Sequence, residues 1–288
     1  MYFFSIPDSD DVRALNCIVL TMFQQKKDWF YDDFTVETAY GCPPACVWNG
    51  NRGADGAYYY PKKWKEIIEM YSHLKIKYRL TFTNFLLRPE HLFDTYANKI
   101  AEILNAYGGF VMVSRPLMEF YIRQTYPNLK VCWSTTTDFG KTPEEQIKKI
   151  NELSADTLVV PPLDFKSFIP LERFEHPENI EVIVNEYCRD NCPKRVQHWT
   201  DVNQCIIMEY RGTRAVGCFF PEMYGGTEKK NINVLREDFP AYVLKGIVHF
   251  KISGRIDPTQ TARAYTEYFV RPEYRQEFFN LVTKYVEF

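Results

Sequence analysis

Lys77-Tyr-Arg-Leu-Thr-Phe-Thr83, Phe110-Val-Met-Val-Ser114 and Lys130-Val-Cys-Trp-Ser-Thr135 decide the fold. Each is a short run rich in β-branched and aromatic residues, and each is followed by helical spacing, over 92–107, 116–125 and 143–153. Working outward, the same alternation continues in both directions. Toward the N-terminus, strands are expected at 2–6 and 34–40 with helices at 10–25 and 61–74. Toward the C-terminus, a strand at 157–160 leads to a short helix at 165–174, and 180–186 is a strand. A cysteine-bearing segment, 187–244, is expected to be irregular with some helix inside it. A last strand at 247–252 and a helix at 258–269 complete the pattern. Eight strand–helix repeats with short, mostly unalternated strands predict parallel strands covered on both faces. In 288 residues that is an α/β fold, a (β/α)8 TIM-like barrel, as one domain spanning 1–288. A doubly wound open sheet is the alternative, and its dinucleotide-binding form is disfavoured because no G-x-G-x-x-G follows the first strand.

Composition limits the function classes. The chain is 45% hydrophobic, 25% charged and carries a formal net charge of −2, which argues against disorder, a membrane surface or a generic nucleic-acid patch. The aromatic share of 16% reads first as a core rich in rings. Residues 1–11 have no basic n-region and turn acidic at once, unlike a signal peptide. No apolar run approaches the roughly 18–20 residues needed to cross a bilayer. The expected compartment is the cytoplasm, where 8 Cys are read as thiols and not as disulfides.

In a barrel, active groups gather where strands end at their C-terminal side. The candidates are therefore residues 41–46, Asn84, Ser114, Arg115, 135–137, Asn185, Glu186, Cys188, Cys192, Ser253, Gly254 and Arg255. Among them, Cys188 opens a C-x3-C-x12-C-x12-C array, Cys188, Cys192, Cys205 and Cys218. Four thiolates in one segment suit a soft metal centre, either an iron–sulfur cluster or zinc. A C-x3-C-x2-C radical motif is disfavoured, since position 195 is Arg. Cys17 and Cys132 lie within apolar periodicity and are expected as buried small hydrophobes.

Val184-Asn185-Glu186-Tyr187-Cys188-x3-Cys192-Pro193-x-Arg195-x2-His198 and His249-Phe-Lys251-Ile-Ser253-Gly254-Arg255 carry a family resemblance. They resemble the N-E-x-C-x3-C-P-x-R-x2-H block and the F-K-I-x-G-R strand of the peptidase U32-like, collagenase-related proteins. Tyr40-Gly41-x-Pro43-Pro44, Asn51-Arg52 and the stretch from Phe110 to Val131 add support, so the likeness runs from about residue 34 to 269. It implies a TIM-like barrel of the short, single-barrel iron–sulfur type, with a [4Fe–4S] cluster. Characterised relatives take part in oxygen-independent hydroxylation of ubiquinone precursors or RNA bases, and some are annotated proteases. Carried over, Cys188 and Cys192 are paired ligands, and Cys205 and Cys218 take the downstream positions. The strand-two loop has its own C-x3-C, Cys42 and Cys46, and one of these is the alternative to Cys218.

The expected function is thus redox or hydroxyl transfer on a small anionic or nucleobase-like substrate, with a second U32-like subunit as the candidate partner. His198, Arg195 and Glu186 are the candidate catalytic residues; Asn84, Lys251 and Arg255 are the candidate substrate contacts. Cationic groups around the mouth suit a carboxylate or phosphate. Simpler roles stand beside these: His198 as a helix cap, Arg255 bridging Glu186, Asn84 as a loop terminator. A U32-type peptidase and a zinc-stabilised, non-catalytic binding protein are the alternatives. No H-E-x-x-H or G-x-S-x-G is present, and a metal-bound thiolate is not free to attack.

Overall fold

The computed structural model describes residues 1–44, 46–50, 59–153, 157–162, 171–186, 188, 192–208, 233–254 and 257–284. Eight parallel strands form one sheet: β1 Tyr2–Pro7, β2 Phe34–Gly41, β3 Lys77–Phe82, β4 Phe110–Val113, β5 Lys130–Trp133, β6 Leu158–Val159, β7 Glu181–Ile183 and β8 His249–Lys251. Hydrogen-bonded neighbours run in the order β6-β5-β4-β3-β2-β1-β8-β7. The two ends approach each other through a parallel bridge between Val159 and Ile180, so the sheet curls into a nearly closed (β/α)8 barrel. This excludes the open doubly wound alternative.

Helices α1 Asp10–Gln25, α2 Pro61–His73, α3 Thr95–Tyr107, α4 Pro116–Thr125 and α5 Pro143–Asn151 follow β1 to β5. Starts are set locally: Asp94 accepts from the Ala97 N–H, and Thr142 with Glu145 forms a reciprocal capping box. The expected helix at 92–107 begins later than its apolar spacing suggested. Pro89–Phe93 is a 3-10 turn, and Asp94 restarts the chain as a cap. The expected helix at 165–174 falls largely outside the described residues, and Leu171–Arg173 is a 3-10 turn. The segment expected to be irregular holds a 13-residue helix, α6 Arg195–Ile207, and a short α7 Phe239–Leu244. After β8 come α8 Pro258–Phe269, at the expected bounds, and α9 Arg275–Thr283, which the sequence had not signalled.

The strands alternate more than their composition suggested. Outward positions fill the layer between barrel and helices, where Phe4, Phe34 and Phe269 meet, with Phe34 and Phe269 stacked 4.6 Å apart. Inward positions are mixed. Ser5 on β1, Arg79 on β3 and Glu181 on β7 are buried together: Arg79 Nη1 donates to Glu181 Oε2 at 2.5 Å, and Ser5 Oγ donates to Oε1 at 2.6 Å. Above them Lys251 Nζ lies 3.9 Å from the Tyr40 ring centroid and 3.6 Å from Met112 Sδ. A second, smaller apolar cluster fills the other side with Met112, Cys132, Leu158, Val160 and Ile183.

Two side-chain clamps shape the C-terminal end of the barrel. Asn185 Nδ2 donates to Ser253 O at 2.9 Å and its Oδ1 accepts from Ser253 N at 2.7 Å, tying the ends of β7 and β8. Asn203, fully buried on α6, donates to Gly50 O at 3.0 Å and accepts from Phe85 N at 2.9 Å. Since α6 begins beside Cys188, past β7, and is fastened to the loops past β2 and β3, it crosses the barrel mouth. Trp199, on its middle turn, packs on the apolar cluster inside the barrel. No described helix is long and apolar enough to cross a membrane.

Two outcomes test this account. Burial pushes the Glu181 carboxyl upward, but Arg79, then Lys251, and the hydrogen bonds from Arg79 and Ser5 bring it down to about 2. A depressed carboxylate stabilises the fold above its unfolded value of 4.5 and loses that contribution as pH falls through about 2. Glu181→Gln should therefore flatten the acid limb of stability in urea titrations. It should also cost about 3–5 kcal/mol at neutral pH, by stranding the Arg79 charge. An unchanged acid limb would place its origin elsewhere. Separately, Asn203→Ala should cost about 1–3 kcal/mol and speed amide exchange at Phe85. Unaltered exchange there would mean α6 is held by other contacts.

Candidate active site at the barrel mouth

The site is built from the ends of β3, β4, β5, β7 and β8, under α6. Strand β7 stops at Ile183, and the chain turns at Asn185 and Glu186. Glu186 Oε1 accepts from the Cys188 N–H at 2.9 Å, which bends the backbone and points Cys188 to the lip. Arg195, at the first turn of α6 and 8% exposed, donates Nε to Cys188 Sγ at 3.4 Å. Cys192 lies close enough to act electrostatically on Cys188. Burial raises the Cys188 thiol above its ordinary range, while the Arg195 charge and hydrogen bond pull the other way. Cys188 is thus a half-buried sulfur in contact with a guanidinium, its thiol held above the ordinary range because burial outweighs that contact.

The predicted residues are distributed unevenly around this point. Glu186, Cys188, Cys192 and Arg195 are brought together. His198 is half-buried on the next turn of α6. Lys251 is buried inside the barrel at the end of β8. Cys205 lies on the same helix as Arg195 but ten residues on, roughly 15 Å along the axis. Among the described residues no group of three or more His, Cys, Asp or Glu side chains is placed to hold a metal ion. Cys218 and Arg255 lie outside the described residues. In the strand-two loop, Cys46 is buried in the apolar core and its thiol is held well above the ordinary range by burial, whereas Cys42 is half-buried. Cys132 faces into the barrel, fully buried, its thiol pushed up to about 11 by burial, as expected of a small core residue.

Asn84, predicted as a substrate contact, is 1% exposed, with both ends of its amide bonded to backbone. Nδ2 donates to Val47 O at 2.9 Å and Oδ1 accepts from Leu86 N at 3.0 Å, so it fixes the strand-two and strand-three loops against each other. Gly50 belongs to the same contact, since a Cβ there would fall on the Thr83 carbonyl. Two features escaped sequence reasoning, and a third was read only in part. Asn203 could have been noticed as an Asn within a helix, where its propensity is poor and a partner is needed. Asp8, just past β1, accepts from Arg13, Tyr71 and Tyr78 and locks the outer layer beside the mouth. The hydroxyl-rich turn 134–137 past β5 was flagged by position only.

That turn completes the rim. Ser114 past β4 and Ser134 past β5 are nearly buried, and both bond Thr136: Ser114 Oγ to Thr136 Oγ1 is 2.6 Å and Ser134 Oγ to Thr136 Oγ1 is 3.0 Å. The register pairs Met112 with Cys132, so Ser114 and Ser134 are the next inward positions above that pair. With Lys251 and Arg195, the mouth gathers cationic groups and hydroxyls, the indole of Trp199 on the small apolar cluster, and a thiol at the lip.

No protein-family model matches this chain, and no curated protein sequence matches it either. Similarity is found among solved structures. The U32 peptidase Mk0906 superimposes with a TM-score of 0.53 at 12% identity, covering 88% of this chain and 94% of that one. A phospho-2-dehydro-3-deoxyheptonate aldolase from Thermotoga maritima gives a TM-score of 0.42 at 11% identity, covering 100% of this chain and 69% of that one, too low to bear on the site. At these identities the likeness is one of fold: this chain is a TIM-like barrel of the kind found in a U32 peptidase.

Proposed function

We propose that this chain is a U32-like barrel enzyme acting on a small anionic or nucleobase-like substrate in the chamber beneath α6. Its thiol pair Cys188 and Cys192 anchors a soft-metal centre, an iron–sulfur cluster. The observation that carries this is the sulfur of Cys188 at the lip, 3.4 Å from Arg195 Nε and beside Cys192. Nitrogen donors aimed at sulfur are what a metal-bound thiolate accepts, and second-shell donors of this kind tune such centres. The fit is partial. Two ligands come from Cys188 and Cys192. Cys205 is too far along α6 to join them directly, which leaves Cys218, outside the described residues, and Cys42 as further donors. Such a cluster, when bound, supplies one-electron transfer. The chain's own residues have simpler tasks: Glu186 orients Cys188 through its N–H, Arg195 holds its charge, Lys251 attracts the substrate's negative group, and His198 carries protons.

Hydrolysis, suggested by the name of the structural neighbour, is the second reading. It would need a base for the Cys188 thiol, and the contact found there is a guanidinium, which stabilises a thiolate but takes no proton. A single zinc would instead make the thiols a clamp for the segment after β7.

Anaerobically purified protein should contain iron and acid-labile sulfide, with a visible band that bleaches in air. Cys188→Ser and Cys192→Ser should each lose most of the iron, while Cys205→Ser should keep it. Full metal content in Cys188→Ser would sink the assignment, and one zinc without sulfide would turn the pair into a structural clamp.

A further inference from the structure

The hydroxyls at the ends of β3, β4 and β5 carry an inference that rests on the anionic-substrate reading and adds a place for the anion. Ser114, Thr136 and Ser134 form a chain of three hydroxyls joined by two hydrogen bonds, 2.6 and 3.0 Å. Three hydroxyls own three protons and the two bonds use two, so one O–H is left to donate, whichever way the chain is oriented. The Thr136 N–H, at 3.2 Å from Ser134 Oγ, adds a donor to this group and no acceptor that could take the spare proton.

Thr83 adds a second spare donor. It follows β3, whose inward positions are Arg79 and Thr81, so the alternation carries Thr83 to the same inner face. The β3–β4 register, Thr81 with Met112 and Phe82 with Val113, sets Thr83 beside Ser114. Thr83 is 1% exposed, and its Oγ1 has no hydrogen-bond partner among the described residues. A buried hydroxyl without a partner costs free energy, and a ligand oxygen at the mouth would relieve it. Charge sets the class of that oxygen. Lys251 Nζ is 3.6 Å from Met112 Sδ, and Met112 stands one inward position below Ser114 on the same strand. The hydroxyls therefore lie above a buried ammonium, where an acceptor with negative charge is favoured over a neutral one.

We propose that Thr83, Ser114, Ser134 and Thr136 form an oxyanion subsite that takes a carboxylate or phosphoryl group of the substrate, with Lys251 beneath it. This places the anion on the β3–β5 side of the mouth, with β6 between β5 and the thiol pair past β7. The substrate would then bridge the mouth, its anionic end on the hydroxyls and its reacting end toward Cys188 and Arg195.

The test is binding of inorganic phosphate and of acetate to the full chain, followed by calorimetry and by nuclear magnetic resonance at constant ionic strength in chloride. Saturable binding of at least one of them is expected. A preference for phosphate or for acetate tells which group the subsite is shaped for. Thr136→Val and Thr83→Val should each weaken binding tenfold or more, and Thr136→Ser, which keeps the hydroxyl, should restore it. Far-ultraviolet circular dichroism confirms that each variant is folded. Binding that survives both valine variants but is lost in Lys251→Met would overturn the subsite and leave the anionic-substrate reading standing. No saturable binding of either anion by the wild-type chain would overturn both.

Discussion

The ion pair inside the barrel is the constraint around which the rest is arranged. Arg79 and Glu181 belong to strands that are not neighbours, and Ser5 on a third strand closes the triangle. Two charges removed from water are tolerated only when geometry and hydrogen bonds compensate. Both carboxylate oxygens of Glu181 are used here. The group thus pins β1, β3 and β7 at one height and sets the level from which the inward side chains of the mouth are stacked. Lys251 and Met112 stand on the next layer, Ser114, Ser134, Thr83 and Asn185 on the one above.

Above this floor a helix lies across the mouth. Helix α6 is fastened at one end through Arg195 and Cys188 and toward the other through Asn203, with Trp199 between them on the apolar wall. Because Asn203 bonds to the backbone of both Gly50 and Phe85, the helix depends on how the strand-two and strand-three loops are packed. Asn84 sets that packing from below. A substitution at Asn84 would therefore reach the mouth through the position of α6, without any contact between Asn84 and a ligand.

The strand–helix order was legible because apolar period and capping chemistry are local properties, and Thr142 and Pro258 mark helix starts that the sequence shows directly. Helix α6 was not. Its sequence carries Arg195, His198, Trp199 and Asn203, polar or bulky groups, of which Asn203 is buried on backbone partners and Trp199 packs on the small apolar cluster, so its apolar face is too weak to announce a helix. The polar lining of the barrel was hidden for a related reason. In strands of three or four residues only one or two side chains point inward, too few to register as alternation.

By itself the sequence determined the number and order of the strands, their parallel character, and the rim on which function had to lie. It also named Glu186, Cys188, Cys192, Arg195 and Lys251 as residues of that rim, since a motif at a strand end keeps its place whatever the packing. Tertiary structure decided which of them meet. Cys205 follows Cys192 by 13 residues, and from Arg195 onward the chain is helix, which carries Cys205 ten residues along the axis and away from the thiol pair. Conversely, Thr83, Ser114 and Ser134 are remote in sequence and adjacent in space, because parallel strands in register bring their ends to one level. Spacing along a chain becomes distance only after the backbone has chosen between helix and turn, and that choice rests on contacts with the rest of the barrel.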